Sequence, residues 1–306
     1  MIKKTNNIYT NIVTDYLGSK SLDLDCFGLI INSKEYSCFP GQKFSKDEVL
    51  DILNFNKNLI NKKLILNCDR IIHEPELEVF EKYLNLFINK VDYIIYSDYA
   101  VLSLIDKKYI DKLIYDPKTL VCSYNELNAL DTKAFISSEI STDELSEFIY
   151  HSEDNKLCIN AFGYHQIMYS KRPLISLYNS HINNACTNNV YTNILEKNIV
   201  YDLKEELRED LYKIIENEQG TFIYTHFIYA LLENLNIIKD KVFMFRINSF
   251  LLEDDEIKFI LTKYKELINS KDLEDQKQLI NGIETKFPKA KPGFLKDELY
   301  LIKNKS

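Results

Sequence analysis

Four arginines stand out in a chain whose 38 basic residues are otherwise lysine: Arg70, Arg172, Arg208 and Arg246. A guanidinium group is a rigid fork of donors that binds a carboxylate or phosphate at two points, which lysine cannot do. Arg70, Arg172 and Arg246 follow or end apolar segments that are typical of strands. The arginines therefore predict a site for an anionic ligand. Structural ion pairs with the 46 acidic residues remain the alternative for each of them.

Further polar residues could take part in chemistry. Glu139 follows the apolar segment KAFISS, where it could bind an amine, act as a general base, or lie at a helix N-terminus. His165 and His181 flank one segment, and their spacing fits no metal motif, so no metal is predicted. Ser170 and Ser176 lack a G-x-S-x-G context, which favours structural hydroxyls.

The elements that must position these residues are short apolar strands, each followed by an amphipathic helix. Repeated βα units indicate a parallel sheet. Six such strands precede residue 165, and TFIYTHF (221–227) and KVFMFRI (241–247) supply two more. The first βα unit is NIYTNIVTDYLGSKSLD (7–23), which has little room for a helix. The pattern predicts an α/β fold, a TIM-barrel-like (β/α)8 parallel barrel with an irregular insertion and a short C-terminal appendage. A doubly wound sheet is the alternative.

The domain limits follow from the same pattern. The barrel is predicted over residues 1–270 and a C-terminal tail with extended strands over 271–306. The insertion at 165–220 interrupts the strand–helix rhythm, which is typical of a functional segment. Ser45 and Glu48 predict a capping box at the start of the first helix.

Charge and composition limit the partners. The net charge is −8, which argues against DNA or bulk nucleic-acid binding but leaves open a tRNA held by a local basic patch. No apolar run approaches 18 residues and no leader segment is evident, so neither a membrane span nor export is predicted. The six cysteines form no Cys-x-x-Cys pair. A cytoplasmic location is therefore expected.

The segment INAFGYHQIMYSKRPLISLYNSH (159–181) resembles the signature region of the peptidase U-32 family, which includes collagenase-like peptidases and tRNA hydroxylation proteins. ELREDLYKIIENEQGTFIYT (206–225) and KVFMFRINSFLLEDDEIKFILTKYKELI (241–268) resemble two later segments of the family. The resemblance covers nearly the whole chain. It is strongest to short members found beside a longer paralogue.

The resemblance, together with the placement of the arginines, implies a set of site residues. Glu139 and Arg172 are predicted as catalytic. Ligand binding is predicted for Arg70, His165, Ser170, Ser176, Arg208, Tyr212 and Arg246. Family members that hold a four-iron cluster have a cysteine after the signature arginine, where this chain has Pro173. Cys158 and Cys186 alone cannot supply four thiolates, so no cluster and no other resident cofactor are predicted.

The resemblance implies three functions. The first is tRNA modification, namely oxygen-independent hydroxylation of the wobble uridine with prephenate as co-substrate. The second is a collagenase-like peptidase. The third is a non-catalytic subunit of a heterodimer with a longer U-32 paralogue. The sequence shows no protease nucleophile, zinc motif or aspartate dyad, which ranks the peptidase below tRNA modification.

Overall fold

Eight parallel strands close into a barrel. The computed structural model describes residues 11–56, 62–118, 120–183, 199–206 and 209–293. The barrel strands are β1 (Ile12–Asp15), β2 (Gly28–Asn32), β3 (Lys63–Cys68), β4 (Tyr93–Tyr96), β5 (Leu113–Tyr115), β6 (Lys133–Phe135), β7 (Leu157–Gly163) and β13 (Val242–Ile247). Neighbouring strands pair in that order, and β13 pairs with both β1 and β7. The predicted parallel barrel is confirmed.

Helices cover the outside of the barrel. They are α1 (Lys46–Asn56), α2 (Leu77–Phe87), α3 (Ala100–Leu104), α4 (Tyr124–Ala129), α5 (Thr142–His151), α7 (Leu235–Ile238), α8 (Asp254–Asn269) and α9 (Leu273–Lys286). Helix α6 (Leu174–Asn183) packs instead against the strand Gly220–Tyr224. Helix α2 shows how they pack, because Phe80, Tyr83, Leu84 and Phe87 recur at helical spacing and are all buried. No helix in the described ranges is long and apolar enough to cross a membrane.

Local signals explain where the helices begin. Ser45 and Glu48 form the predicted capping box before α1, with the Ser45 amide donating to Glu48 Oε2 (2.8 Å). Ser141 and Glu144 form a second one before α5, where the Ser141 amide donates to Glu144 Oε2 (2.7 Å). These reciprocal bonds satisfy amide donors that the first turn of a helix leaves free.

The residues between β7 and the short strand β12 (Ile228–Ala230) in the sequence form a second, antiparallel sheet. Its strands are β8 (Gln166–Ser170), β9 (Val200–Lys204), β10 (Leu211–Asn217) and β11 (Gly220–Tyr224), in the order β8-β11-β10-β9. TFIYTHF was predicted as a barrel strand, which is wrong, because this segment forms β11. The eighth barrel strand is instead β1. We call the four strands the cap sheet.

Glycine is required at the exit from the barrel. Gly163 ends β7 with φ +123°, and a Cβ there would lie 2.7 Å from the carbonyl oxygen of Asn248. A side chain would therefore be both strained and obstructed. The turn lets the chain leave the barrel and build the cap sheet over the carboxyl ends of the strands.

The C-terminal segment differs from its prediction. Residues 271–306 were predicted as a tail with extended strands, but Leu273–Lys286 form α9, with Asp272 accepting from the amides of Glu274 and Asp275. Ile283 and Phe287 are buried one helical turn apart, so a helix buries the few apolar residues of this polar segment on one side. Within the described part of this segment, which ends at residue 293, the two-residue strand β14 (Ala290–Lys291) is the only strand, and it runs parallel to β12.

Candidate functional site

Along each barrel strand, the side chains that point into the barrel change from apolar to polar over two residues. Each strand contributes one side chain to a buried apolar layer: Val13, Ile30, Ile65, Ile95, Ile114, Phe135, Cys158 and Met244. Two residues further along, every strand or its extension carries a polar residue: Asp15, Asn32, Asn67, Ser97, Asp116, Ser137, Asn160 and Arg246. Side chains two residues apart on a strand share a face. The parallel strands therefore bring polar groups to the carboxyl end of the barrel, where barrel enzymes build their sites.

Arg246 bridges two of these strands. Its Nη2 lies 3.3 Å from Asp15 Oδ1 and its Nη1 lies 3.4 Å from Asp116 Oδ2, and all three side chains are buried. Asp15 also accepts from the amide (3.0 Å) and the hydroxyl (2.9 Å) of Ser249. Burial alone would lower the pKa of Arg246, but Asp15 and Asp116 raise it, so the guanidinium stays charged.

Lys118 makes a second bridge. Its Nζ donates to Asp69 Oδ2 (2.7 Å) and Asp116 Oδ2 (2.8 Å). Its backbone has φ +66°, a left-handed conformation that is strained for a lysine. Burial would raise the pKa of Asp69, but Lys118 lowers it to about 2, so this carboxylate is ionised at neutral pH.

Amide and hydroxyl side chains connect the two bridges through further hydrogen bonds. Asn32 Nδ2 donates to Asp15 Oδ1 (3.1 Å), and Asn67 Nδ2 donates to Asn32 Oδ1 (2.8 Å) and Ser37 Oγ (3.2 Å). Ser37 Oγ then donates to Asp69 Oδ1 (2.9 Å). The result is an unbroken ring of hydrogen bonds, which we call the mouth ring: Arg246, Asp15, Asn32, Asn67, Ser37, Asp69, Lys118 and Asp116. Its three carboxylates and two cations carry one net negative charge.

A cavity of about 50 Å³ lies between the mouth ring and the cap sheet. Arg246 and Lys118 line it from the barrel, and Gln166 and Tyr224 line it from the cap sheet. His165, at the junction of the two, also lines it and stacks on Tyr229 with ring centroids 4.4 Å apart. Burial and the nearby Arg246 lower the pKa of His165 to about 3, so its imidazole is neutral.

The two residues predicted as catalytic do not line this cavity. Glu139 is exposed, because β6 ends at Phe135 and the chain has left the barrel interior four residues later. Arg172 is exposed at the turn between β8 and α6, six residues beyond Gln166. Neither side chain reaches the mouth ring, and their catalytic roles stay predictions.

The predicted ligand-binding residues separate into two groups. His165 and Arg246 line the cavity. Arg70 instead pairs with Glu76 (2.6 Å), and Tyr212 lies on β10 with its ring against His226. A shared anion site was expected, but Arg70 and Arg246 are each neutralised by their own carboxylates, and Arg172 does not line the cavity. Arg208 lies outside the described residues.

The two predicted serines belong to the support of α6. Ser176 Oγ donates to Glu216, a fully buried carboxylate that also accepts from the amide of Ile175 (2.8 Å) and from Thr221 Oγ1 (3.1 Å). Ser170 Oγ accepts from the amide of Arg172 (3.2 Å). The Ser176 contact joins α6 to the cap sheet, and the Ser170 contact lies within the turn between β8 and α6. The ligand-binding roles of both serines stay predictions.

Sequence reasoning missed most of the mouth ring. Asp15, Asp69, Asp116 and Lys118 were not selected, although Asp15 and Asp116 lie two residues beyond an apolar strand position. That spacing was the available signal. Among the described residues, no group of three or more His, Cys, Asp or Glu side chains is arranged to hold a metal ion.

A larger groove, of about 740 Å³, lies on the outside of the barrel between α5, α7 and α9. Its lining is mainly apolar, including Leu145, Ile149, Leu231 and Ile280. It lacks the convergent charges of the mouth ring, so the smaller cavity is the better candidate for chemistry.

A family model described as peptidase family U32 matches residues 31–302. The chain belongs to peptidase family U32. Among solved structures, the U32 peptidase Mk0906 aligns over 54% of this chain and 73% of its own, with 13% identity and a TM-score of 0.41. A chitinase from Chromobacterium violaceum aligns over 86% and 100%, with 8% identity and a TM-score of 0.39. No curated protein matches this U32 chain.

Proposed function

We propose that this U32 protein takes part in tRNA modification, as a catalyst or as a subunit beside a longer paralogue. The reaction is hydroxylation of the wobble uridine, with prephenate as co-substrate. The observation that carries the proposal is the mouth ring, a buried set of fixed charges and amides beside a neutral imidazole. Such a site binds and orients a polar group through preorganised donors and acceptors.

The groups around the cavity favour this role over peptide hydrolysis. Cys38 lines the cavity, but burial raises its pKa to about 12, so the thiol is protonated at neutral pH. Ser138 also lines it and makes no hydrogen bond to His165. Asp69 and Asp116 each bind Lys118, so they do not share a proton as the two carboxylates of an aspartic protease do. An activated nucleophile therefore has no support among the cavity residues described.

One surface supports contact with RNA. Lys171 and Arg172 precede α6 and are exposed, and within the described ranges neither forms an ion pair. On α6 itself, Leu177, Tyr178 and His181 lie on one exposed face, with Tyr178 64% accessible. Exposed cations suit phosphates, and an exposed aromatic ring suits an unstacked base. We call these five residues the α6 face.

The test is a deletion strain grown without oxygen, with its tRNA nucleosides measured by mass spectrometry. We expect the hydroxylated wobble uridine to be lost and to return when the gene is supplied on a plasmid. Unchanged nucleosides would overturn the proposal. Hydrolysis of gelatin by the purified protein, with unchanged nucleosides, would establish the peptidase instead.

A further inference from the structure

Two side chains at the cavity have hydrogen-bonding groups without partners. Arg246 Nε is buried and bonds to nothing in the part of the chain that the structure describes, although both Nη atoms are bonded. His165 is in the same position, because its buried Nε2 is unpartnered and no hydrogen bond to its Nδ1 is present in the described ranges. Buried polar groups are nearly always satisfied, so such orphans need an explanation. Here both belong to residues that line one cavity.

The two unpartnered groups indicate which hydrogen-bonding groups a ligand should carry. Arg246 Nε–H can only donate, so the ligand must supply an acceptor. A neutral imidazole has one N–H and one unprotonated nitrogen, so His165 can accept a hydrogen bond from the ligand as well. A ligand that carries an acceptor and a donor would therefore satisfy both residues, which line the same cavity.

Charge excludes an anion as the best occupant. The mouth ring already carries three carboxylates against two cations, and Asp15, Asp69 and Asp116 are all buried. An anionic ligand would add a second uncompensated negative charge in a buried place, which is costly. The occupant that suits this site is neutral.

We infer that the cavity holds the amide edge of a neutral planar ring, with a ring carbonyl accepting from Arg246 and a ring N–H donating to His165. The flat side chains of Phe39 and Tyr224 line the same cavity and suit the faces of such a ring. A volume of about 50 Å³ admits the edge of a ring and leaves the rest of a nucleotide outside. The inference rests on the proposed function, in which a pyrimidine base is the neutral ring presented to the site.

Two uracil probes test the inference on the wild-type protein. 1-Methyluracil keeps the N–H between its two carbonyls, whereas 1,3-dimethyluracil has a methyl group in its place and no N–H left. Saturation-transfer NMR and titration should show 1-methyluracil binding at least about tenfold more tightly, because the dimethyl probe cannot donate to His165 and leaves a buried partner unsatisfied. Equal binding of the two probes would overturn the inference. N-Acetylglycinamide, a peptide amide, and malonate, an anion, are the competing probes, and tighter binding of either would also overturn it.

A variant locates the probe. His165→Phe keeps an aromatic ring on Tyr229 and removes both nitrogens, so 1-methyluracil should bind at least about tenfold more weakly to a folded variant. Unchanged binding would contradict the placement. The nucleoside measurement in the deletion strain is independent of these titrations. Loss of the modified nucleoside together with equal binding of the two probes would overturn this inference and leave the proposed function standing. Unchanged nucleosides together with selective binding of 1-methyluracil would overturn the proposed function and leave the binding site standing.

Discussion

Arg246 and Asp116 form an ion pair across the inside of the barrel, with Nη1 3.4 Å from Oδ2, although 130 residues separate them in the sequence. Arg246 lies on β13 and Asp116 follows β5, so the pair joins strands that are not neighbours in the sheet. The same carboxylate oxygen also accepts from Lys118. Asp116 is therefore the point at which the arginine and lysine bridges of the mouth ring meet.

Removing the guanidinium should destabilise the fold. Arg246→Met leaves Asp15 buried without its cation and Asp116 with Lys118 as its remaining cation, and breaking a buried ion pair typically costs about 3–5 kcal/mol. The free energy of unfolding in urea measures this loss. The matched control is Lys20→Met, which removes a cation from an exposed pair with Asp254 and should cost less than about 1 kcal/mol. Equal losses of unfolding free energy in the two variants would show that the buried ion pairs stabilise the fold no more than an exposed one.

His165 should make stability depend on pH. The folded pKa of about 3 lies below the ordinary histidine value of about 6.5, so the unfolded chain binds the extra proton first. The stabilisation is complete above the unfolded pKa and is lost as pH falls towards the folded pKa. Between pH 7 and pH 5 the wild type should lose about 2 kcal/mol more of its unfolding free energy than His165→Phe. Denaturant titrations at both pH values measure the difference, and equal losses would contradict a buried neutral imidazole.

Ser176 should matter for stability and not for ligand binding. Ser176→Ala removes the hydroxyl that donates to the buried Glu216, but Glu216 keeps its bonds to two amides and to Thr221. A loss of about 1 kcal/mol in unfolding free energy is expected, with unchanged binding of 1-methyluracil. Lost binding without a change in stability would instead support the ligand-binding role that the sequence predicted.

The α6 face should contribute to tRNA affinity through charge. The double variant Lys171→Glu, Arg172→Glu should weaken tRNA binding and make it less dependent on salt, because fewer counterions are released. Fluorescence anisotropy at several salt concentrations measures both effects. Lys107→Glu, Lys258→Glu is the matched control, since both lysines are exposed elsewhere on the barrel. Equal effects of the two double variants would argue against this face.

The barrel could be predicted because its signal is local. Apolar strands alternate with capped amphipathic helices, and Ser45 with Glu48 marked a helix start that the structure confirms. β11 was misassigned because TFIYTHF has the same composition as a buried barrel strand, and only pairing with β8 and β10 distinguishes it. Helix α9 was missed because its few buried positions, such as Ile283, are spread among polar residues.

The site was harder to predict than the fold. His165 and Arg246 were selected because they lie in or beside recognisable segments, and the spacing rule could also have found Asp15 and Asp116. Lys118 is different, because its position depends on a left-handed backbone conformation that lysine gives no reason to expect. The neutralisation of Arg246 by two aspartates depends on long-range contacts, which no local pattern contains.

The most direct test of the cavity at the mouth ring as the functional site is complementation of the deletion strain with variants, followed by mass spectrometry of its tRNA nucleosides. His165→Phe and Ser176→Ala are compared at equal protein levels. We predict that Ser176→Ala restores the hydroxylated wobble uridine and that His165→Phe does not. Full modification by His165→Phe would contradict the account.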